Sequence, residues 1–362
     1  MANTTYDIVF VGGGLAALLL LRQLQGELPA RIAVVDPTPP KDRPTVHWSY
    51  WSKTSTPYDP HAIGSWRRAS ASDGPPQDIA PYTLQVVESA TVLGDLIESL
   101  QGLPIEWLTD TARMITRIRD GRYAVDTTTG TLHARWVFDS ACRIPPTFPH
   151  RRPCAMVSGT GLRVTCGDAV FDSTTATLFD PIDDRTFAYL LPLSSHEALL
   201  ESASFGSTPS ADDAARLLGY LDRRHPGVPF TVTHEEHGEI PLGFPARRTA
   251  GPHHVLLGTK RGLVKPSAGY GVVRIARESE YLARRWAGHR RLPATRRAAW
   301  RWRVVDEQFL RLAARDSDGP LMLLSRTLRS VPLVQALRLI DEDLVLGELV
   351  RLLRFASPAL SR

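Results

Sequence analysis

The sequence predicts an α/β fold: a nucleotide-binding unit at the start, an inserted sheet-rich region in the middle and helices at the end. Three observations carry this expectation. An apolar run near the N-terminus leads directly into three glycines and a helical stretch. Short β-rich runs replace helical periodicity from about Leu162 to Phe205. From Arg296 onward the apolar spacing is helical, with runs at Leu321–Leu324 and Leu344–Leu353. Strands alternating with helices make a parallel sheet, whereas a block of successive strands makes an antiparallel one.

Residues 7–11 (Asp-Ile-Val-Phe-Val) are the first strand, Leu15–Leu24 the first helix and residues 31–36 (Arg-Ile-Ala-Val-Val-Asp) the second strand. Together they form one β-α-β unit. The Pro-rich segment 37–44 leaves the sheet, and Ala69–Pro81 reads as a loop or linker. Val86–Leu100 has helical periodicity, and Ala134–Asp139 reads as a later strand of the same sheet. The middle region supplies strands at Thr177–Phe179, Thr186–Leu191 and Ala198–Ser202. Ser210 then caps a helix running to about Arg224, with Asp213 at its third position. Val255–Gly258 is another buried strand and Tyr270–Trp286 another helix. The expected division is 1–143 and 251–286 for the nucleotide-binding domain, 144–250 for the inserted sheet domain and 287–362 for the helical part.

Composition narrows the function classes. Of 362 residues, 43% are hydrophobic and 22% charged, which suits a globular protein with a real core. The net charge is +5, but nearly all the basic residues are Arg, with Lys only at 41, 53, 260 and 265. That bias reads as codon composition, and no nucleic-acid partner is expected. Cys142, Cys154 and Cys166 show no CxxC spacing, so neither a disulfide framework nor a zinc site is indicated. The 11 histidines show no ligand spacing, and no metal is expected. With no charged leader and no run of 18 apolar residues, a cytoplasmic protein is expected, with membrane association left open.

Gly12-Gly13-Gly14-Leu15-Ala16-Ala17 fits G-x-G-x-x-A, directly after a strand and at a helix start. Gly12 permits the tight turn, and Gly14 lets the backbone approach a pyrophosphate whose charge the helix N-terminus favours. Leu15 and Ala16 open that helix. Asp36 ends the second strand, placed to accept ribose hydroxyls. The ordered series of strand, glycines, helix, strand and acid predicts a Rossmann-like dinucleotide domain. The extreme N-terminal position leans towards FAD.

Further motifs select among flavoproteins. Phe138-Asp139-Ser140-Ala141 and Leu257-Gly258-Thr259 depart from the aromatic-hydroxylase pattern, and the W-x-W-x-I-P of flavin halogenases is absent. Tyr6-Asp7-Ile8-Val9 leads into the glycine turn, and His47-Trp48-Ser49-Tyr50-Trp51 follows the second strand. Tyr189-Leu190-Leu191-Pro192-Leu193-Ser194 precedes Leu199-Leu200-Glu201. Glu235-Glu236-His237-Gly238-Glu239-Ile240-Pro241, Lys265-Pro266-Ser267-Ala268-Gly269-Tyr270, and Leu337–Asp341 with Leu346-Gly347-Glu348 complete the series. In this order, along almost the whole chain, they resemble the lycopene β-cyclase family, with its W-S-F, Y-x-L-P-L-S, F-L-E-E-T, E-E-x-G-x-I-P and P-S/T-T-G-Y elements. Departures are Ser202 and Ala203 for the second acid and Thr of F-L-E-E-T, Ala268 for the Thr before Gly269, and Lys260-Arg261 after Gly258-Thr259.

The resemblance implies a flavoenzyme, active with reduced FAD, that cyclises the end of an isoprenoid chain without net redox change, with NAD(P)H as a candidate reductant. It assigns Glu201 the acid–base role. A carboxyl buried among apolar side chains keeps its proton at neutral pH, as protonation of an alkene requires. A strand-end carboxylate paired with an arginine is the alternative. Glu235 and Glu236 are expected to end a strand near the flavin, as a second acid or as solvated charge. Gly258, Pro266, Gly269 and Tyr270 are expected around the cofactor, and Lys265 is expected to be exposed. Trp48, Tyr50 and Trp51 are candidates for a substrate pocket or for ordinary core. Arg284–Arg303 is read as a solvated face or a peripheral membrane contact. The substrate class is a lipophilic isoprenoid: lycopene first, another polyprenyl or meroterpenoid chain second. A flavin monooxygenase or prenyl reductase is the alternative from another class.

Overall fold

The computed structural model describes residues 4–28, 31–71, 74–142, 155–205, 212–243, 249–289, 300–315 and 319–351. Its parallel core orders the strands Ile105–Thr109, Ile32–Asp36, Thr4–Val11, Thr131–Asp139 and His254–Leu256. Alternation along the first strand decides what each face receives. Ile8 and Phe10 pack under the helices Leu15–Gln23, Ser89–Ser99 and Val272–His289. Val9 and Val11 pack with Tyr123 and Val125 from the antiparallel strand Tyr123–Thr127. This is the Rossmann-like arrangement expected from the β-α-β unit.

A second sheet of seven strands has the order Phe230–Leu242, Ala155–Cys166, Glu197–Phe205, Thr186–Pro192, Thr175–Pro181, Arg68–Ala71, Gln77–Asp78. It is antiparallel apart from the pairing of Thr175–Pro181 with Arg68–Ala71. Leu162, Val164, Leu190 and Leu200 face the helix Asp213–Arg224, meeting Leu217, Tyr220 and Leu221. The opposite face, with Phe187, Tyr189, Leu199 and Phe205, turns towards the C-terminal helices Trp300–Arg315, Gly319–Ser330 and Leu333–Ile340. A three-stranded sheet, His47–Ser52, Thr83–Glu88 and Ala62–Trp66, contributes to both cores.

Several local expectations are corrected. Segment 69–81 is not a linker, because Arg68–Ala71 and Gln77–Asp78 extend the second sheet, so that sheet draws strands from before residue 144. Val86–Glu88 belongs to a strand, and the helix begins at Ser89; the apolar Val86 and Val87 fit either period. Ser210 lies outside the described residues, and Asp213 opens its helix instead of standing at the third position. Tyr270 precedes the helix that starts at Val272, and Gly258 begins a single 3₁₀ turn after the strand His254–Leu256. Glu235 and Glu236 sit in the middle of a 13-residue strand, not at its end. Among the described residues, no helix is long and apolar enough to cross a membrane.

Candidate active site

The site is set by sheet register. Gly161 pairs with Glu201 on one side and with Glu236 on the other, while Glu201 also pairs with Tyr189. Residues directly opposite one another share a face. Tyr189, Glu201 and Glu236 therefore project together from one row, with Gly161 between the two acids. The acid backbones are about 9.5 Å apart, two strand spacings. Gly161 is what allows the side chains to converge: a Cβ there would lie 2.7 Å from Glu236 Cγ. The same alternation turns Glu235, paired with Leu162, to the other face, where it is half exposed beside His237 at 3.3 Å. Glu235 does not share the row of Glu201.

This row floors a cavity of about 310 Å³. Its walls include Trp48, Val157, Phe187, Tyr189, Phe205, Ile240 and Tyr270, with Ala203, Ala268 and Gly269 supplying small patches. Ser49 Oγ donates a 2.8 Å hydrogen bond to Glu201 Oε2. The surface Glu201 retains faces this cavity, and burial pushes its carboxyl up to about 7. The Ser49 hydrogen bond opposes that rise, nearby Glu236 adds to it, and His47 opposes it. The phenol of Tyr270 is likewise driven upward, by burial first and by Glu201 after the opposing influence of Ser49. Tyr270 Oη is buried with no hydrogen-bond partner among the described residues.

Glu236 is held from one side by strand His47–Ser52. The His47 backbone N–H donates to both carboxylate oxygens, at 3.0 and 2.9 Å, and His47 Nδ1 lies 2.8 Å from Oε2. His234 Nε2 is 3.3 Å from the same oxygen and 3.2 Å from Thr45 O. The potential ligand atoms of His47, His234 and Glu236 lie within 4.8 Å of one another, a convergence that linear spacing does not reveal. These contacts make the cluster a hydrogen-bonded histidine–carboxylate network.

The aromatic candidates separate. Trp48 lines the cavity. Trp51 backs Tyr270, with ring centroids 3.8 Å apart. Tyr50 is buried in the other core, its hydroxyl 3.2 Å from Asp59 and its ring edge-on to Tyr58. Alternation along one strand forbids all three from facing one cavity. Ser49, His47, Phe187 and Phe205 were not singled out from the sequence. The signal for Ser49 and His47 was the strand period of the HWSYW run; the pairing that brings Phe187 and Phe205 together is not legible without sheet order.

The glycine turn lies on the other side. The helix Leu15–Gln23 starts after Gly14, where added bulk would meet nothing within 4 Å, and its first N–H groups lack intrahelical acceptors. Gly258, at φ +56°, passes so close that a Cβ would lie 3.1 Å from the Cβ of Ala16. Asp36 accepts from the Gly13 N–H at 2.7 Å and the Thr38 N–H at 2.9 Å. Arg43 lies 3.2 Å from Asp36 and donates to Gly13 O at 2.6 Å, a contact the Pro-rich segment gave no hint of. Lys260 pairs with the buried Asp139 at 2.6 Å. Segment 258–272 thus runs from the helix N-terminus to the cavity wall. Within it, the turn at Pro266–Gly269 is closed by the Lys265 N–H to Tyr270 O at 2.8 Å, with Gly269 at φ +69°. Lys265 itself is buried, at 1% exposure, and bonds Asp306 at 2.8 Å and Glu342 at 3.3 Å. It anchors the C-terminal helices to this turn and is not exposed.

A glycine turn at a helix N-terminus, joined by one segment to a buried acid in an aromatic cavity, stands here on a Rossmann-like α/β fold. The chain belongs to the lycopene cyclase protein family, which it matches over residues 7–356. No curated relative matches it in sequence. In structure it is similar to a p-nitrophenol 4-monooxygenase from Pseudomonas putida, at 17% identity and a TM-score of 0.61 over 99% of both chains. A geranylgeranyl bacteriochlorophyll reductase-like protein from Thermoplasma acidophilum follows at 13% identity, with a TM-score of 0.58 over 99% of this chain and 98% of that one. A halogenase solved in complex with FAD matches 89% of this chain and 76% of its own, at 12% identity and a TM-score of 0.54. At these identities the likeness is one of fold.

Proposed function

We propose that this protein is an FAD-dependent cyclase in which Glu201 protonates the terminal alkene of a lipophilic isoprenoid, with lycopene the first candidate and a β-ring the product. The observation that carries this reading is a carboxyl held near neutrality inside an aromatic cavity. An acid of this kind keeps a large share of its protons at pH 7, where an ordinary carboxyl has lost nearly all of them.

The cradle fits a dinucleotide. Gly14, Leu15 and Ala16 at the helix start offer backbone N–H groups to a pyrophosphate, Gly12 makes the turn with its own N–H bonded to Val35 O at 2.8 Å, and Gly258 has no side chain to crowd Ala16. Asp36 and Arg43 lie beside the turn for the adenosine end. Pro266, Gly269 and Tyr270 lead from that cradle to the cavity. FAD bound there supplies, in its reduced state, an electron-rich ring that stabilises positive charge with no net redox change, NAD(P)H being the candidate external reductant.

Glu201 transfers its proton to the CH carbon of the terminal (CH3)2C=CH– alkene, leaving a tertiary cation at the dimethyl carbon. The neighbouring double bond attacks that cation and closes the ring, and loss of a ring proton to a cavity carboxylate restores an alkene. Product and substrate then have the same formula. Trp48, Tyr189 and Tyr270 offer aromatic faces to the cation, each worth about 0.5–2 kcal/mol. The apolar walls exclude water that would capture the cation as an alcohol. Exposed Trp300, Val304 and Met322 on the C-terminal helices support peripheral membrane contact for collecting such a substrate.

The test is incubation of the purified protein, with reduced FAD, with lycopene. A product of unchanged mass and shifted absorbance is expected. Absence of an isomeric product, with NAD(P)H consumption matched to an oxidised or reduced form of the substrate, would replace this reading with a monooxygenase or reductase.

A further inference from the structure

Two imidazoles and a carboxylate converge on the side of Glu236 away from Glu201. His47 Nδ1 is 2.8 Å and His234 Nε2 3.3 Å from the same atom, Glu236 Oε2. Ligands about 2.0–2.1 Å from a tetrahedral zinc ion stand about 3.3 Å from one another, so these separations have the dimensions of a metal site. The remaining separation, between the two imidazoles, is at most 4.8 Å and closes by rotation of the His234 ring, which is 33% exposed. The other two ligands are already fixed: the His47 backbone N–H holds the Glu236 carboxylate, and the His47 side chain is 2% exposed.

Two independent observations point to a cation. The first is a buried nitrogen. His47 Nε2 has no hydrogen-bond partner, and Glu88 Oε1 lies 3.9 Å away. Without a metal the acceptor Glu236 keeps the ring proton on Nδ1, which leaves Nε2 unused. A metal on Nδ1 sends that proton to Nε2 and aims it at Glu88, as ligating histidines direct their second N–H at a carboxylate. On His234 the proton passes in the same way from Nε2 to Nδ1. The second observation is charge. A polar pocket of about 440 Å³ adjoins the cluster, lined by Thr45, Glu88, Arg163, Glu197 and His234 together with His47. Glu88 and Glu197 share the single guanidinium of Arg163, at 2.8 and 2.6 Å. With Glu236, three carboxylates stand against one guanidinium, which leaves two negative charges for a divalent ion to balance.

We propose that His47 Nδ1, His234 Nε2 and Glu236 Oε2 bind a zinc ion. The fourth position opens to the polar pocket, where a water or the Thr45 carbonyl oxygen, 3.2 Å from His234 Nε2, completes the tetrahedron. Two imidazoles and one carboxylate suit zinc, whereas magnesium and calcium take oxygen shells. The ion clamps strand His47–Ser52, which carries Ser49, to the edge strand Phe230–Leu242. Its role is structural: it fixes the wall that these two strands give the aromatic cavity. No proton transfer at Glu201 passes through it, so the site is independent of the cyclase reading.

The experiment uses the untagged, FAD-loaded protein after dialysis against a chelator. Zinc is returned in a metal buffer, and bound metal is counted per chain by elemental mass spectrometry. The wild type is expected to take up a single equivalent of zinc and to unfold at a higher Tm with it. His234→Ala and Glu236→Gln are expected to weaken binding at least about tenfold. His237→Ala, whose ring bonds Thr160 instead, is expected to bind zinc as the wild type does. X-ray absorption of the wild-type zinc form needs no variant: nitrogen and oxygen neighbours at about 2.0–2.1 Å, with imidazole among them, are expected. A wild type that takes up no zinc, binding that survives both ligand substitutions, or a sulfur neighbour at about 2.3 Å overturns the site. None of these results depends on whether the protein closes a ring.

Discussion

Glu201→Gln separates a buried acid from a surface carboxylate without requiring any substrate. The carboxyl moves from an ordinary 4.5 to about 7, chiefly because its anion is poorly solvated. A rise of that size, at 1.36 kcal/mol per unit, is worth about 3 kcal/mol. Its sign follows from linkage: the folded state holds the proton more tightly, so the group's stabilising contribution is complete below pH 4.5 and is lost as pH rises through 7. Gln has no such dependence. The difference in unfolding free energy between variant and wild type should therefore shift in favour of Gln by roughly 2–3 kcal/mol between pH 5 and 8.5. Groups common to both proteins cancel in that difference. Urea unfolding of the FAD-loaded proteins at both pH values measures it, and ring closure by the variant should be lost at every pH. A difference that does not change with pH would show a solvated Glu201, and the reasoning about its acidity would fall with it.

Ser49→Ala removes the hydrogen bond that holds Glu201 down, so the alkaline limb of the activity profile should move to higher pH by about one unit; a pH–rate series decides this, and a downward move contradicts it. Gly161→Ala places a methyl against Glu236, which its bonds to His47 keep from moving aside. Activity should drop at least about tenfold for a stability loss of about 1–3 kcal/mol, read by turnover and urea unfolding. Lys265→Met leaves Asp306 and Glu342 without their buried cation and should destabilise the protein by about 3 kcal/mol, measured by thermal unfolding. An undiminished Tm would mean that Lys265 does not anchor the C-terminal helices.

The β-α-β unit was readable because each piece acts locally: an apolar strand, a turn that needs glycine, and a helix start. Glu201 was singled out by the resemblance to the family's acid motif, directly after the apolar run Ala198-Leu199-Leu200. The rest of the site depends on pairing between strands distant in sequence. Glu235 and Glu236 look interchangeable in sequence, and only the register against Gly161 decides which enters the cavity. The same holds for the HWSYW run, where alternation sends Tyr50 into one core and Ser49 to Glu201. Lys265 looked exposed because its two acids lie 41 and 77 residues further on, Asp306 in the helix Trp300–Arg315 and Glu342 in the turn after Leu333–Ile340. Segment 69–81 looked like a linker because its strands are short and edge-like, stabilised by neighbours far along the chain.

The departures from the family pattern fall differently with respect to the cavity. At the position of the second acid, Ser202 uses its hydroxyl on the Thr160 backbone, accepting from N–H at 3.1 Å and donating to O at 3.2 Å. That side chain is committed within the sheet, so the exchange leaves Glu201 and its row as they are. Ala203 and Ala268 stand where the family pattern has threonine, and both line the cavity. Each exchange removes a hydroxyl from the wall while Glu201, Ser49 and Tyr270 remain. The proposed proton donor and the cavity wall are therefore separable in this chain: Glu201 follows the family pattern, and the wall at residues 203 and 268 is more apolar. A wall lacking those hydroxyls discriminates only by shape, and an added or missing methylene in such a pocket is worth about 1–3 kcal/mol. In the proposed cyclase, residues 203 and 268 would set which isoprenoid end is accepted, while the reaction type would rest with Glu201.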